Sequence, residues 1–204
     1  MLCQYCQAEI TPIKGTTAPV KSIKALVSIG VHDGPLRATI HALKYEKNRQ
    51  AAVILGKLLS ERVIPQEWPF DIVIPVPLHV KRLKERGYNQ AKLIAEALAS
   101  HLETSVVADG LQKILATETQ VGKSAQQRRT NVESAFSVNP AIAPILDQSS
   151  ILLVDDVCTT GATLEACADA LLQAGAHTVY TATASQAQYT DSSPGTATDS
   201  IFLP

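Results

Sequence analysis

Apolar and polar positions along this chain follow two periods, and the change between them is clearest at residues 151–171. Residues 151–154 read Ile-Leu-Leu-Val between polar neighbours, the pattern of a strand buried on both faces of a parallel sheet. The apolar run meets Asp155 and Asp156 and is expected to stop there. Leu164, Cys167, Ala168 and Leu171 then recur at i, i+3, i+4 and i+7, one helical stripe, with Gly175 where a C-terminal cap belongs. A second strand-like run follows at 177–184, so the segment is a βαβ unit.

Earlier stretches extend the alternation. Residues 23–32 suit a strand, Asp33-Gly34-Pro35 suits a turn with proline at a helix start, and Leu36, Ile40, Leu43 and Tyr45 carry the helical period. A polar break at 44–48 separates a second helix at 51–63. Residues 71–79 suit a buried strand that leaves the sheet at Pro75 and Pro77, which cannot donate ladder hydrogen bonds. A helix over 91–101 has Asn89 as its N-cap. Residues 106–115 suit a strand pair, or a strand and loop around Asp109-Gly110, and 135–138 a short strand. Residues 117–131 lack periodicity and read as a polar loop long enough to cover a site. The expected fold class is α/β, with a mainly parallel central sheet flanked by helices.

Composition narrows this picture. The 204 residues are 46% hydrophobic and only 4% aromatic, which predicts an aliphatic core in one domain with an appendage. The domain is expected over 23–187, after a short Cys-containing segment at 1–22 and before a flexible tail at 188–204. A formal charge of -1 gives no global field for nucleic acid, so any anion site is local. No apolar run approaches the ~18 residues of a membrane span, and Met1 leads to Cys3 without a signal-like region, which predicts a cytoplasmic protein.

The four cysteines read differently. Cys3 and Cys6 have zinc-knuckle spacing, but tetrahedral zinc needs four donors and only two are local; His32 and His41 are the nearest other candidates, and a metal-free remnant fits the ligand count better. Cys167 lies on the apolar stripe of its helix and reads as core. Cys158 stands beside backbone amides that would lower its thiol pKa. Neither looks like a nucleophile.

The chemistry concentrates where the 151–154 strand ends. Asp155 and Asp156 suit a pair of adjacent sugar hydroxyls, while Thr159, Thr160, Gly161 and Thr163 at a helix start suit a phosphate monoester. Together they describe a ribose 5-phosphate. Neither a P-loop nor a dinucleotide fingerprint occurs. A receiver domain would need further βα units after this one, and the bland alternative is a pair of helix-capping acids. A basic cluster, Lys81, Arg82, Lys84 and Arg86, would share the rim of this cup if the two strands run parallel.

The run Val154-Asp-Asp-Val-Cys-Thr-Thr-Gly-Ala-Thr163 resembles the phosphoribosyl pyrophosphate (PRPP) signature of type I phosphoribosyltransferases. The blocks Gly34-Pro-Leu-Arg, Ile40-His-Ala-Leu-Lys-Tyr45, Ile74-Pro-Val-Pro-Leu-His79 and Arg86-Gly-Tyr-Asn-Gln90 are similar, in this order, to the ComF family of phosphoribosyltransferase-like proteins, associated with DNA uptake in natural transformation. The resemblance spans about 24–187 and implies the type I phosphoribosyltransferase-like fold. It implies that PRPP or another phosphorylated ribose is held by Asp155, Asp156, Val157, Cys158, Thr159, Thr160, Gly161, Ala162 and Thr163. Pyrophosphate would lie on Val76, Pro77, Leu78, His79, Lys81 and Arg82, with Mg²⁺ bound alongside PRPP and a lid containing Ser124, Arg128 and Arg129. Pentosyl transfer to an acceptor is one implied activity. The alternative is a non-catalytic adaptor for single-stranded DNA and competence partner proteins; a homodimer is among the implied assemblies. Family members commonly carry at least two cysteine pairs for zinc, whereas this chain keeps Cys3 and Cys6.

Overall fold

The computed structural model describes residues 3–13, 21–114 and 135–187. The first half runs through helix α1 (Gln4–Ala8), strand β1 (Ala25–Val31), helices α2 (Gly34–Tyr45) and α3 (Gln50–Val63), strand β2 (Ile72–Pro75) and helices α4 (Val80–Arg86) and α5 (Gln90–Leu102). The second runs through β3 (Ser105–Val106), β4 (Leu111–Lys113), β5 (Phe136–Val138), α6 (Ala143–Leu146), β6 (Ser150–Cys158), α7 (Ala162–Gln173) and β7 (Thr178–Gln186). Strands β1, β7, β6, β2 and β3 form, in that order, a sheet in which every pairing is parallel. Strands β4 and β5 form a separate antiparallel ribbon.

The uninterrupted apolar run in β6 has the expected cause. Leu152 and Val154 pack into one core with α2, α3 and α5, and Ile151 and Leu153 into a second core with α7, α6 and the ribbon. All four are fully buried, and each such side chain contributes roughly 1.5–3 kcal/mol relative to exposure. The α/β fold expected from the sequence is therefore observed, with helices on both faces.

Three details depart from the expectations or add to them. Strand β6 does not stop at the acids but continues to Cys158, because β7 goes on pairing with it: Asp155 opposes Thr183, Val157 opposes Ser185 and Cys158 opposes Gln186. The basic cluster is a helix of its own, α4, closed by Gly87. The 106–115 segment divides, with Val106 ending an edge strand of the main sheet and Leu111 starting the ribbon. Gly175 lies just beyond α7, where the cap was expected, and donates to Leu172 O at 3.1 Å. The expected tail at 188–204 lies outside the described residues. Among the described residues no helix is long and apolar enough to cross a membrane.

Helices α3 and α5 approach closely at Gly56. A Cβ there would stand 2.4 Å from Ala97 Cβ and 2.8 Å from the backbone nitrogen of Leu98. Helix propensity alone would favour Gly56→Ala by about 1 kcal/mol. The clash is with a partner helix's backbone, which cannot step aside, and overpacking of this kind costs about 1–3 kcal/mol. Gly56→Val, with two further methyls in the same gap, adds to the cost. Both variants are expected to unfold earlier in denaturant and heat, valine earlier than alanine; an alanine variant as stable as the parent would mean that the helices separate freely.

Candidate functional site at the carboxyl rim of the sheet

Because β2 runs parallel to β6, with Pro75 opposite Val154, both strands deliver their following residues to one rim. The condition for bringing the basic cluster and the acidic cup together is met. Val76 N–H donates to Val154 O at 2.8 Å, which ties the turn after β2 to the strand that carries the acids.

The cup between β6 and α7 is built around Gly161, whose φ of 80° is left-handed and strains any residue with a Cβ. As the N-cap, Gly161 has no side chain to accept from the first-turn amides of α7. Ala162 N–H reaches Thr160 Oγ1 at 3.4 Å, a long contact. Amides and helix dipole thus face outward through a mouth of exposed residues, Thr159, Thr160, Ala162 and Thr163. Cys158 is buried, and burial, with the nearby Asp155 carboxylate, raises its thiol pKa. This corrects the expectation of a lowered value: the Gly161 amide does act in that direction, but desolvation outweighs it. Cys167 is core, as expected, with its pKa pushed well up by burial.

Asp155 and Asp156 lie inside the end of the strand, both buried. The pleat turns them to opposite faces. Asp156 faces α2, where Lys44 Nζ lies 2.5 Å from Oδ2. Oδ2 is thus charge-paired with Lys44, with no further hydrogen-bond partner among the described residues. Asp155 is on the α7 side, within electrostatic reach of Cys167 and Lys113, and its Oδ1 accepts from Asp156 N–H at 2.8 Å. Burial first, and the Asp156 charge second, push the Asp155 pKa well above the usual carboxylate value. The two acids thus have different surroundings, although they act on one another through charge and a side-chain hydrogen bond.

After β2, Pro77, Leu78 and His79 are half-buried and Lys81 and Arg82 exposed. His79 is the N-cap of α4, its Nδ1 accepting from Lys81 N–H at 3.2 Å. The Arg86-Gly-Tyr-Asn-Gln90 block is scaffolding. Tyr88 donates its hydroxyl to the Leu43 carbonyl, Arg86 bonds Gln90 and lies over the Tyr45 ring, and Asn89 both caps α5 and donates to Val76 O at 2.9 Å. This block fixes the end of α2 and therefore Lys44.

Lys44, His32 and Lys113 are rim residues that the sequence did not reveal as such. His32 shares a 2.7 Å hydrogen bond with Ser185; burial, then the charges of Lys44 and Arg37, lower its pKa and favour the neutral ring. Lys113 lies over the Phe136 ring, its pKa lowered by burial. Lys44 stood in the sequence within a polar break and a family block and His32 as a candidate zinc donor, but nothing in the local pattern brings them or Lys113 to this rim. Ser124, Arg128 and Arg129, expected in a lid, lie outside the described residues.

The zinc expectation is tested at Cys3 and Cys6. Their sulfurs lie 3.6 Å apart, but among the described residues no group of three or more His, Cys, Asp or Glu side chains is placed to hold a metal. His41 pairs with Glu46 and His32 with Ser185, so neither completes the set. A four-donor zinc site does not fit these residues.

The phosphoribosyl transferase domain family matches residues 89–193. The DNA utilization protein YhgH of Salmonella typhi is 32% identical over 159 residues, covering 76% of this chain and 68% of that protein. Competence protein ComFC of Bacillus subtilis is 35% identical over 180 residues, covering 85% and 67% respectively. Among solved structures, the glutamine PRPP amidotransferase from B. subtilis, complexed with ADP and GMP, aligns with a TM-score of 0.45 at 22% identity. It covers 66% of this chain, which spans only 26% of that one. The chain belongs to the ComF/YhgH family of competence-associated proteins and carries that family's type I phosphoribosyltransferase-like domain.

Proposed function

We propose that the rim binds a 5-phosphorylated ribose carrying a 1-diphosphate, PRPP, with pentosyl transfer to an acceptor as its catalytic extension. The observation that carries this reading is the start of α7 at Gly161, which no side chain of its N-cap closes, five residues after the buried acid Asp156 whose Oδ2 is paired with Lys44. The phosphate takes the first-turn amides and the Thr159 to Thr163 hydroxyls. A ribose hydroxyl donates to Asp156 Oδ2, where Lys44 now sits. Breaking a buried ion pair by removing one partner costs about 3–5 kcal/mol, so the exchange is unfavourable unless Lys44 gains another anion. A diphosphate supplies that anion and ribose 5-phosphate does not. Lys81 and Arg82, exposed on the same rim, face the same charge. Mg²⁺ bound with the ligand would offset the diphosphate charge and would be held mainly through substrate and water oxygens rather than by side chains.

A second reading rests on α4. Lys81, Arg82 and Lys84 are exposed there beside Val80 and Leu83, and Tyr45, 66% exposed under Arg86, offers a ring to a base. Positive charge interleaved with an aromatic face suits single-stranded nucleic acid. The names of the relatives, DNA utilization and competence proteins, favour this adaptor reading.

Three outcomes test these readings. PRPP with Mg²⁺ should raise the melting temperature, by more than ribose 5-phosphate at the same concentration, and Asp156→Asn should abolish the rise. No shift at millimolar PRPP removes the first reading. Asp155 supplies the pH dependence. Its folded pKa is raised, so the folded state holds the proton more tightly, and stability falls as pH climbs from the unfolded carboxylate range through the folded pKa. Asp155→Asn should therefore be more stable than the parent near neutral pH, with the advantage fading towards pH ~4, where both chains carry a neutral group. Paired melting curves across pH check this, and a constant difference would contradict it. For the adaptor, each lost phosphate contact reduces the salt slope of log K by about 0.7, so Lys81→Ala with Arg82→Ala should flatten it by about 1.4. An unchanged slope excludes α4 as the contact.

A further inference from the structure

The two thiols that fail as a zinc site are arranged for different chemistry. Cys3 is the N-cap of α1, with extended backbone at φ -73° and ψ 171°, and Cys6 lies in the first turn. Their sulfurs approach to 3.6 Å. A disulfide needs about 2.05 Å between sulfurs, and the extended N-cap leaves the first cysteine free to make that adjustment by side-chain rotation. The segment is anchored rather than loose. Gln7 N–H donates to Cys3 O at 3.0 Å, Cys6 and Ile10 pack on the α2–α3–α5 core, and Val31 N–H holds Thr11 O at 2.8 Å. The two sulfurs also differ in access: Cys3 is exposed, whereas Cys6 is half-buried and lines a groove of about 370 Å³ with Pro35, Ala38, Ala42 and Ala51.

We propose that Cys3 and Cys6 are a redox-active dithiol that closes to an intramolecular disulfide by exchange with a small-molecule disulfide such as oxidised glutathione. Exposed Cys3, as thiolate, attacks one sulfur of the external disulfide. That S–S bond breaks, one thiolate leaves, and a mixed disulfide forms on Cys3. Cys6, as thiolate, then attacks the Cys3 sulfur, expelling the second small thiol. The protein loses two electrons and two protons, and the external disulfide gains them as two thiols. Difference in access assigns the order: the exposed sulfur meets the reagent and the recessed one resolves the intermediate. Cys158 and Cys167, both buried, stand apart from the couple.

The test uses the full chain, first reduced, then equilibrated in glutathione buffers of graded ratio, quenched and alkylated, with peptides mapped by mass. The expected result is a Cys3–Cys6 disulfide whose fraction rises with the proportion of oxidised glutathione and reverses when the ratio is restored. Cys6→Ser should hold one glutathionyl group on Cys3, and Cys3→Ser should take up far less on Cys6. Three results would overturn the proposal: both thiols still alkylatable in the most oxidising buffer, cross-linking only between chains, or stoichiometric zinc on the purified chain that blocks alkylation of both. Melting curves of both serine variants, matched to the parent, separate loss of the couple from loss of the fold.

Discussion

The arrangement rests on the burial of β6 on both faces. A strand enclosed by helices on each side and paired with β7 and β2 has no solvent along most of its length, which is why its first residues are aliphatic. Charge can enter only near the carboxyl rim. Strand β2 leaves the sheet after Pro75, while β7 continues beside β6 to Cys158. Asp155 and Asp156 occupy the stretch that has lost one neighbour and kept the other. They are close enough to the rim to reach a ligand and deep enough to be desolvated.

Desolvation makes the rest of the rim necessary. A buried carboxylate without compensation is costly, and the two acids resolve this differently because the pleat separates them. Asp156 has the Lys44 ammonium beside it. Asp155 has a backbone amide, and its raised pKa reflects how burial disfavours its charged form. The position of Lys44 depends on the end of α2, which depends on Tyr88, Arg86 and Tyr45. Asn89 joins the same bracket to the turn after β2. The Arg-Gly-Tyr-Asn-Gln block thus couples the turn that faces the diphosphate in the proposed reading to the lysine beside the acid.

Much of this was legible in the sequence where a local period or a special residue carried the information. The apolar run of β6 gave the buried strand, the i, i+3, i+4, i+7 stripe gave α7, and Asn89 and Gly175 marked helix ends that the structure confirms. The cup was legible because Gly161 and its threonines are contiguous. Less legible was anything set by pairing across the fold. The continuation of β6 past two acids is imposed by β7, whose partner residues lie far away in sequence. The rise in the Cys158 pKa comes from the burial around it, although its adjacency to amides pointed the other way. A lone lysine following Leu43 looks like any solvated helix residue until α2 is laid against the sheet.

The division of labour on the rim follows from the same geometry. The turn between β6 and α7 is made of backbone and small hydroxyls at the surface, so in the proposed reading an anion held there would depend little on the buried charges. The acids differ, since Asp156 is already paired and the Asp155 pKa is raised. In the proposed reading a sugar that engages Asp156 replaces the cation beside it, and a ligand that brings compensating charge makes that exchange favourable. In the proposed reading, then, the phosphate meets groups that the resting fold already presents, while binding of the pentose is conditional on the group attached to its first carbon.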